Sequence, residues 1–215
     1  SYSMNLLVDG CTFERASQRG VQRYYYELLS RVPPDSGVEI FFRKLPQAPV
    51  PPSVRSTELT EEFFLAKKDI KGRLASKVRR LWFPTPYPTG NVFHSTYFTR
   101  CPHQGVPEVL TVHDMVPEIM PEHFPADVSR EITMKRECIL AAERIIAISH
   151  ATASDLVAVY PEISDRVEVI HSGGQHFPVV DEVEVAARVY DDEPYVVFIG
   201  ERRSYKNFVS LLEAM

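Results

Sequence analysis

His113 and Asp114 are the two residues of this chain whose types and spacing are best placed to do chemistry. They close Val109-Leu-Thr-Val112, an apolar, β-branched run, and Pro117 then forbids a simple continuation of strand or helix. In a parallel α/β sheet, ligands bind beyond the carboxyl ends of the strands. A His-Asp pair held there on a rigid platform sets a titratable imidazole beside a carboxylate, the equipment of proton transfer or of polar contact with a substrate. A solvated strand end with Asp114 capping a turn uses the same residues, so support has to come from elsewhere in the chain.

Three other places carry polar or flexible residues at the end of an apolar run. Gly200-Glu-Arg-Arg-Ser-Tyr-Lys-Asn207 follows one such run and opens a helix, presenting Arg202, Arg203 and Lys206. Fixed cations beside a helix N-terminus are what a phosphate or diphosphate requires, with a solvated basic turn as the plainer account. Gly20 opens another helix after a strand and a polar loop, where free backbone N–H groups could receive an anion. The full G-x-G-x-x-G dinucleotide fingerprint is absent, and a helix start that needs a small residue explains a lone glycine equally well. The last is His94-Ser-Thr-Tyr97, which ends Asn91-Val-Phe.

The elements that must position these residues follow from periodicity. Buried strands are expected at Asn5–Asp9, Val38–Phe42, Asn91–His94, Val109–Val112, Arg144–Ser149 and Val167–Ile170. Between them, apolar residues 21, 25, 28, 29 and 32 share one helical face ended by Pro33-Pro34. Apolar positions 128, 132, 139 and 142 mark a helix from Ala126 to about Glu143, and Ser149 is set to N-cap another that stops at Pro161. Leu45 to Ser53 holds four prolines and reads as a loop. Glu58 to Arg80 reads as an amphipathic helix interrupted at Gly72. Seven basic residues lie between Lys67 and Arg80 against the single acid Asp69, a face suited to solvent or to anionic lipid at a membrane surface.

This alternation predicts an α/β fold, a Rossmann-like doubly wound parallel sheet. Residues 4–175 are expected to form one domain, Ser1-Tyr2-Ser3 reading as an expression remnant. Periodicity fades and acids accumulate over residues 176–194, which read as a linker. Tyr195-Val-Val-Phe-Ile-Gly200 and the helix from about Lys206 read as the first β-α unit, 195–215, of a second domain that is cut short. An orphan strand at 195–199 could pair with another chain's sheet edge and drive homo-oligomerisation.

Composition narrows the function. A chain of 215 residues with 44% hydrophobic and 25% charged residues is ordinary for a globular protein, and a net charge of -5 gives no reason to expect nucleic acid. Three widely spaced cysteines make neither a disulfide framework nor a zinc site, and point to a reducing cytoplasm. No apolar run approaches the roughly 20 residues needed to span a bilayer.

Several blocks together resemble a known family. They are Gly20-Val-Gln-Arg-Tyr with Glu27-Leu-Leu; Phe93-His-Ser-Thr-Tyr; Thr111-Val-His-Asp-Met-Val-Pro-Glu with Pro121-Glu-His-Phe; Ile146-Ala-Ile-Ser149 with Asp155-Leu156; Val169-Ile-His-Ser-Gly-Gly174; and Phe198-Ile-Gly-Glu-Arg-Arg-Ser-Tyr-Lys-Asn207. Their order across nearly the whole chain resembles the N-terminal part of the family-four, GT-B-type retaining glycosyltransferases. The resemblance implies transfer of a sugar from a nucleotide-sugar donor to a glycan or glycolipid acceptor, as in polysaccharide biosynthesis, without metal or cofactor. By position it implies that His113 faces the transferred sugar with Asp114 shaping its loop. It also implies that Gly20, Arg202 and Lys206 serve the donor diphosphate. His94, Tyr97 and Glu118 are then candidates for contact with acceptor or sugar. Two departures stand out: Arg19-Gly20 replaces the family's paired glycines, and the paired-glutamate motif of the C-terminal domain is missing, so the chain alone is expected to be inactive.

Other classes make different demands. A stand-alone, non-catalytic carbohydrate- or partner-binding module would keep the fold and lack the donor half, and a natural stop after Met215 would favour it. A metal-dependent hydrolase would need His94, His113, Asp114 and Glu118 to converge at ligand spacing.

Overall fold

The computed structural model describes residues 5–16, 20–57, 91–101, 104–173, 195–200, 202 and 204–215. The basic segment 67–80, the linker 176–194 and Arg203 lie outside them. Among the described residues seven strands form one sheet: β1 (Leu6–Asp9), β2 (Val38–Phe41), β3 (Arg55–Thr57), β4 (Val92–Ser95), β5 (Glu108–Val112), β6 (Arg144–Ala147) and β7 (Val167–Val169). Their spatial order is β3-β2-β1-β4-β5-β6-β7, and every pairing is parallel. The helices are α1 (Gly20–Ser30), α2 (Val116–Ile119), α3 (Val128–Ala141), α4 (His150–Val159) and α5 (Phe208–Ala214).

A parallel sheet covered on both faces needs strands that are apolar throughout, and side chains that alternate between two cores. Along β1, Val8 joins Phe13, Tyr25, Leu29 and Ile40 on the α1 side, while Leu7 meets Phe41 and Phe93 on the other. The largest core lies under α3 and α4, where Leu110, Val112, Met115, Ile139, Ile145, Leu156 and Ile163 pack together. Gly10 ends β1 because nothing larger fits: a Cβ there would meet the Phe42 ring at 2.3 Å and the Phe41 carbonyl oxygen at 2.7 Å.

The helix faces depart from the expected ones at two places. On α1, Leu28 is 43% exposed and Gln22 is buried in its stead, because its amide reaches the Thr12 and Arg15 carbonyl oxygens. On α3, Lys135 is buried between the expected apolar positions. Strand β3 was not legible among the prolines around it. Residues 195–199, expected as a strand, join no sheet among the described residues, and Ile199 is 92% exposed. The following helix starts at Phe208 rather than Lys206, with Asn207 in the left-handed region at φ 53°. None of the described helices is long and apolar enough to cross a membrane.

Ser149 caps α4 as expected: its hydroxyl accepts the Thr152 N–H at 3.1 Å. Ser149→Ala is therefore expected to cost about 1 kcal/mol, which a thermal melt would register as a drop of a few degrees.

Candidate functional site

The order of the strands reverses between β1 and β4, and in an open α/β sheet the crevice beyond the carboxyl ends of the strands at such a switch point receives the ligand. Asp9 stands at its floor, fully buried. Its carboxylate accepts the Cys11 N–H at 3.0 Å, the Arg43 guanidinium at 3.1 Å and the Thr99 hydroxyl. Burial pushes this carboxyl up, while Arg43, Thr99 and the Cys11 N–H pull it back. The Asp9 carbonyl takes the Thr96 hydroxyl at 2.7 Å, and Thr96 accepts the Thr12 N–H at 3.2 Å. The loops after β1, β2 and β4 are thereby tied across the switch point.

Beside this floor lies a stack of aromatic rings. The Tyr24 ring meets the His113 ring edge-on at 5.0 Å, and Tyr25 packs against His94 at 5.7 Å and His113 at 6.3 Å. Tyr25 donates its hydroxyl to the Ser95 carbonyl at 3.1 Å, and His94 Nε2 lies 3.0 Å from the Thr111 hydroxyl. His94 is only 8% exposed, and burial, reinforced by His113, lowers its pKa to about 4. It is a neutral core histidine.

His113 sits one residue beyond β5, half-buried. Its Nε2 is buried and has no hydrogen-bond partner among the described residues. Burial lowers its pKa, the Asp114 carboxylate opposes that, and the Lys135 ammonium adds to it. A neutral imidazole with a vacant polar atom can accept or donate one hydrogen bond to a ligand. The turn beneath it is held from several sides. Thr152 on α4 donates to the His113 carbonyl at 3.3 Å, and Lys135 on α3 donates to the Asp114 carbonyl at 2.6 Å. The exposed Asp114 carboxylate accepts the Val116 N–H at 3.2 Å, so it does cap a turn.

The remaining sequence candidates are spread around this centre. Glu118 is turned into the core, paired with Lys135 at 3.0 Å, and its Oε1 is the other buried side-chain atom without a partner among the described residues. Tyr97 is covered by the Arg15 guanidinium at 4.4 Å and gives its hydroxyl to Glu131 at 2.7 Å. Gly20 begins α1 with nothing within 4 Å of where a Cβ would be, so packing imposes no need for a small residue there. Arg202 lies over Phe208 at 4.7 Å and Lys206 over Tyr205 at 4.9 Å, both exposed. Tyr205 in turn stacks on Phe124 at 5.3 Å, which brings this segment against the loop that follows His113 and α2.

Metal and thiol chemistry find little here. Among the described residues no three His, Cys, Asp or Glu side chains are grouped to hold a metal ion; His94 and Glu118 are engaged by Thr111 and Lys135 instead of converging with His113. None of the three cysteines forms a disulfide, and burial pushes the Cys11 and Cys138 thiols to about 11 and 12, which makes both poor nucleophiles. Sequence reading missed Asp9, Tyr24, Tyr25, Arg43 and Lys135. Only Asp9 left a trace, as a carboxylate closing a buried strand.

The sheet order and the polar floor at its switch point define a Rossmann-like, doubly wound α/β domain. The chain belongs to Glycosyltransferase Family 4, whose model matches residues 18–173. It is similar to the crystal structure of Anabaena Alr3699/HepE in complex with UDP and glucose, at 13% identity and a TM-score of 0.42 over 80% of this chain and 45% of that one. It is likewise similar to the complex with UDP-glucose, at 13% identity and a TM-score of 0.41 over 80% and 44%. The chain thus spans less than half the length of these solved structures. No curated protein matches it.

Proposed function

We propose that this chain is the acceptor-side half of a GT-B glycosyltransferase that moves a sugar from a nucleotide-sugar donor to a glycan or glycolipid acceptor, with retention of configuration. The observation that carries this reading is the His113 imidazole: neutral, edge-packed on Tyr24, and holding at a strand end a buried nitrogen without a partner among the described residues. In this reading His113 receives a hydroxyl of the transferred sugar, and Asp114 shapes its turn. The absence of any described atom within 4 Å of a Cβ placed on Gly20 would let the donor diphosphate approach the start of α1. Arg202 and Lys206 neutralise that diphosphate as it leaves, so the departing charge is met by fixed cations. Residues 4–175 form the acceptor-side domain, 176–194 the linker, and 195–215 the start of the donor-binding domain. A cytoplasmic enzyme whose basic segment 67–80 touches the inner face of a membrane fits an acceptor carried on lipid.

The test is nucleotide release by the full-length protein from a panel of uridine and guanosine diphosphate sugars, with the anomeric configuration of the product read by NMR. Release from one donor class with retained configuration is expected. Lys206→Ala should then raise KM for that donor by about tenfold, the worth of one charged hydrogen bond. Glycan binding without nucleotide release from any donor would replace this reading with that of a non-catalytic binding module.

A further inference from the structure

A lysine buried in a helix face made for apolar residues calls for an explanation. Lys135 is 3% exposed, and α3 places it between Ile132 and Ile139 on the face that meets the sheet. Withdrawing an ammonium group from water is costly unless its donors are satisfied. Here one donor goes to the Asp114 carbonyl at 2.6 Å and one to Glu118 Oε2 at 3.0 Å, while the Phe98 ring centroid lies 5.5 Å away. The shortest of these contacts is to the backbone of the turn that carries His113.

We propose that Lys135 is a positioning residue for His113: its ammonium group, with Glu118 as counter-ion, clamps the Asp114 carbonyl and so fixes the turn that presents the imidazole. The proposal rests on His113 being the group that meets the substrate. Three observations support it. The ion pair joins the two ends of one turn, Asp114 and Glu118, to a single point on α3. The opposite side of the turn is fastened separately by Thr152, so Lys135 supplies a polar restraint from the α3 side, beside the apolar packing of Met115 on Ile139. Glu118 uses one carboxylate oxygen on Lys135, and its Oε1 has no partner among the described residues, so Lys135 is the group that this carboxylate anchors there. A charge placed there also acts on the imidazole. The titratable groups around His113 are Tyr24 and Tyr25 from α1, His94 from β4, its neighbour Asp114, and Lys135; of these, Lys135 and the burial itself hold the ring neutral against the pull of Asp114.

Lys135→Met in the full-length protein strands the Glu118 charge and should lower the melting temperature. The informative variant is therefore Glu118→Leu with Lys135→Met, which removes both charges and replaces the pair by apolar packing. Its melting temperature should return toward the wild-type value, while kcat stays down by roughly tenfold to a hundredfold with KM for the donor little changed, the signature of a misplaced group. In the same protein the His113 ring resonance, assigned among seven histidines by its loss in His113→Ala, should titrate at higher pH than in the wild type. Wild-type kcat and an unmoved His113 titration in the double variant would overturn the proposal and leave the pair as simple core structure. The titration does not depend on sugar transfer: a shifted resonance in a protein that releases no nucleotide would refute the glycosyltransferase reading and keep the clamp.

Discussion

Replacing His113 with alanine in the full-length protein is expected, on the proposed glycosyltransferase reading, to lower kcat by about 10² to 10⁴-fold, the range over which a positioned proton-transferring or hydrogen-bonding group contributes. The fold should not suffer. The ring's buried Nε2 makes no hydrogen bond among the described residues, so its removal breaks none there, and the edge contact with Tyr24 is the main packing lost. A buried polar atom left unsatisfied is itself unfavourable, and a ligand hydroxyl would relieve it. Thermal melting near or slightly above the wild-type value, combined with collapsed turnover, is the expected signature. Turnover at the wild-type level would remove His113 from the chemistry. A large fall in melting temperature would instead make it a packing residue.

The second large effect is on stability, and it comes from His94. In the folded chain its pKa is about 4, below the ordinary 6.5, because the ring is buried against Tyr25 and Thr111 with His113 near. Between those two values the unfolded chain binds a proton that the folded chain refuses. The unfolded state therefore gains as pH falls. Stability contributed by the neutral ring is complete above about pH 6.5 and is lost on the way down to about pH 4. The amount is about 3 kcal/mol, since each pKa unit is worth about 1.4 kcal/mol and the ring is almost wholly withdrawn from water. Urea denaturation at several pH values should show the midpoint falling through this window. His94→Gln, which keeps a hydrogen-bonding group and removes the titration, should flatten that dependence. An equally steep decline in the variant would assign the acid sensitivity to other groups.

How much of this could be read from the residues alone differs between the fold and the site. The apolar runs at Leu6–Asp9, Val38–Phe41 and Glu108–Val112 announce buried parallel strands, since both faces of such a sheet are covered and no alternation is needed. Strand β3 escaped because its pairing with β2 is set by tertiary context, with prolines immediately before it. The segment 195–199 has the same apolar character as β1, yet character alone does not supply a neighbouring strand. For the site, the His113-Asp114 turn was legible because two chemically capable residues follow a strand. His94 was legible as a residue but not as a buried one: whether a strand-end histidine faces the crevice or the core depends on Tyr25, which arrives from a helix far away in sequence. Lys135 illustrates the opposite failure. A lysine in an amphipathic helix reads as solvent-facing, and only the partner it finds, Glu118 on a different element, shows otherwise.

The sheet order also has a consequence for synthesis. The first strand made, β1, is a central strand of the finished sheet, and its two neighbours arrive at very different times. β2 follows soon after, but the other edge of β1 pairs Leu6 with Val92 and Val8 with His94. At roughly 5–20 residues per second, β1 therefore spends a few seconds with one ladder of backbone groups open after β2 has joined it. During that interval Leu7, Phe41 and the far face of the nascent sheet lack Phe93, and Asp9 lacks Thr96 and Thr99. The crevice is thus assembled late, at the seam where an early hairpin-sized nucleus meets strands made long after it. Contacts so distant in sequence are slow to form, which leaves this seam open to mispairing while the chain is being made.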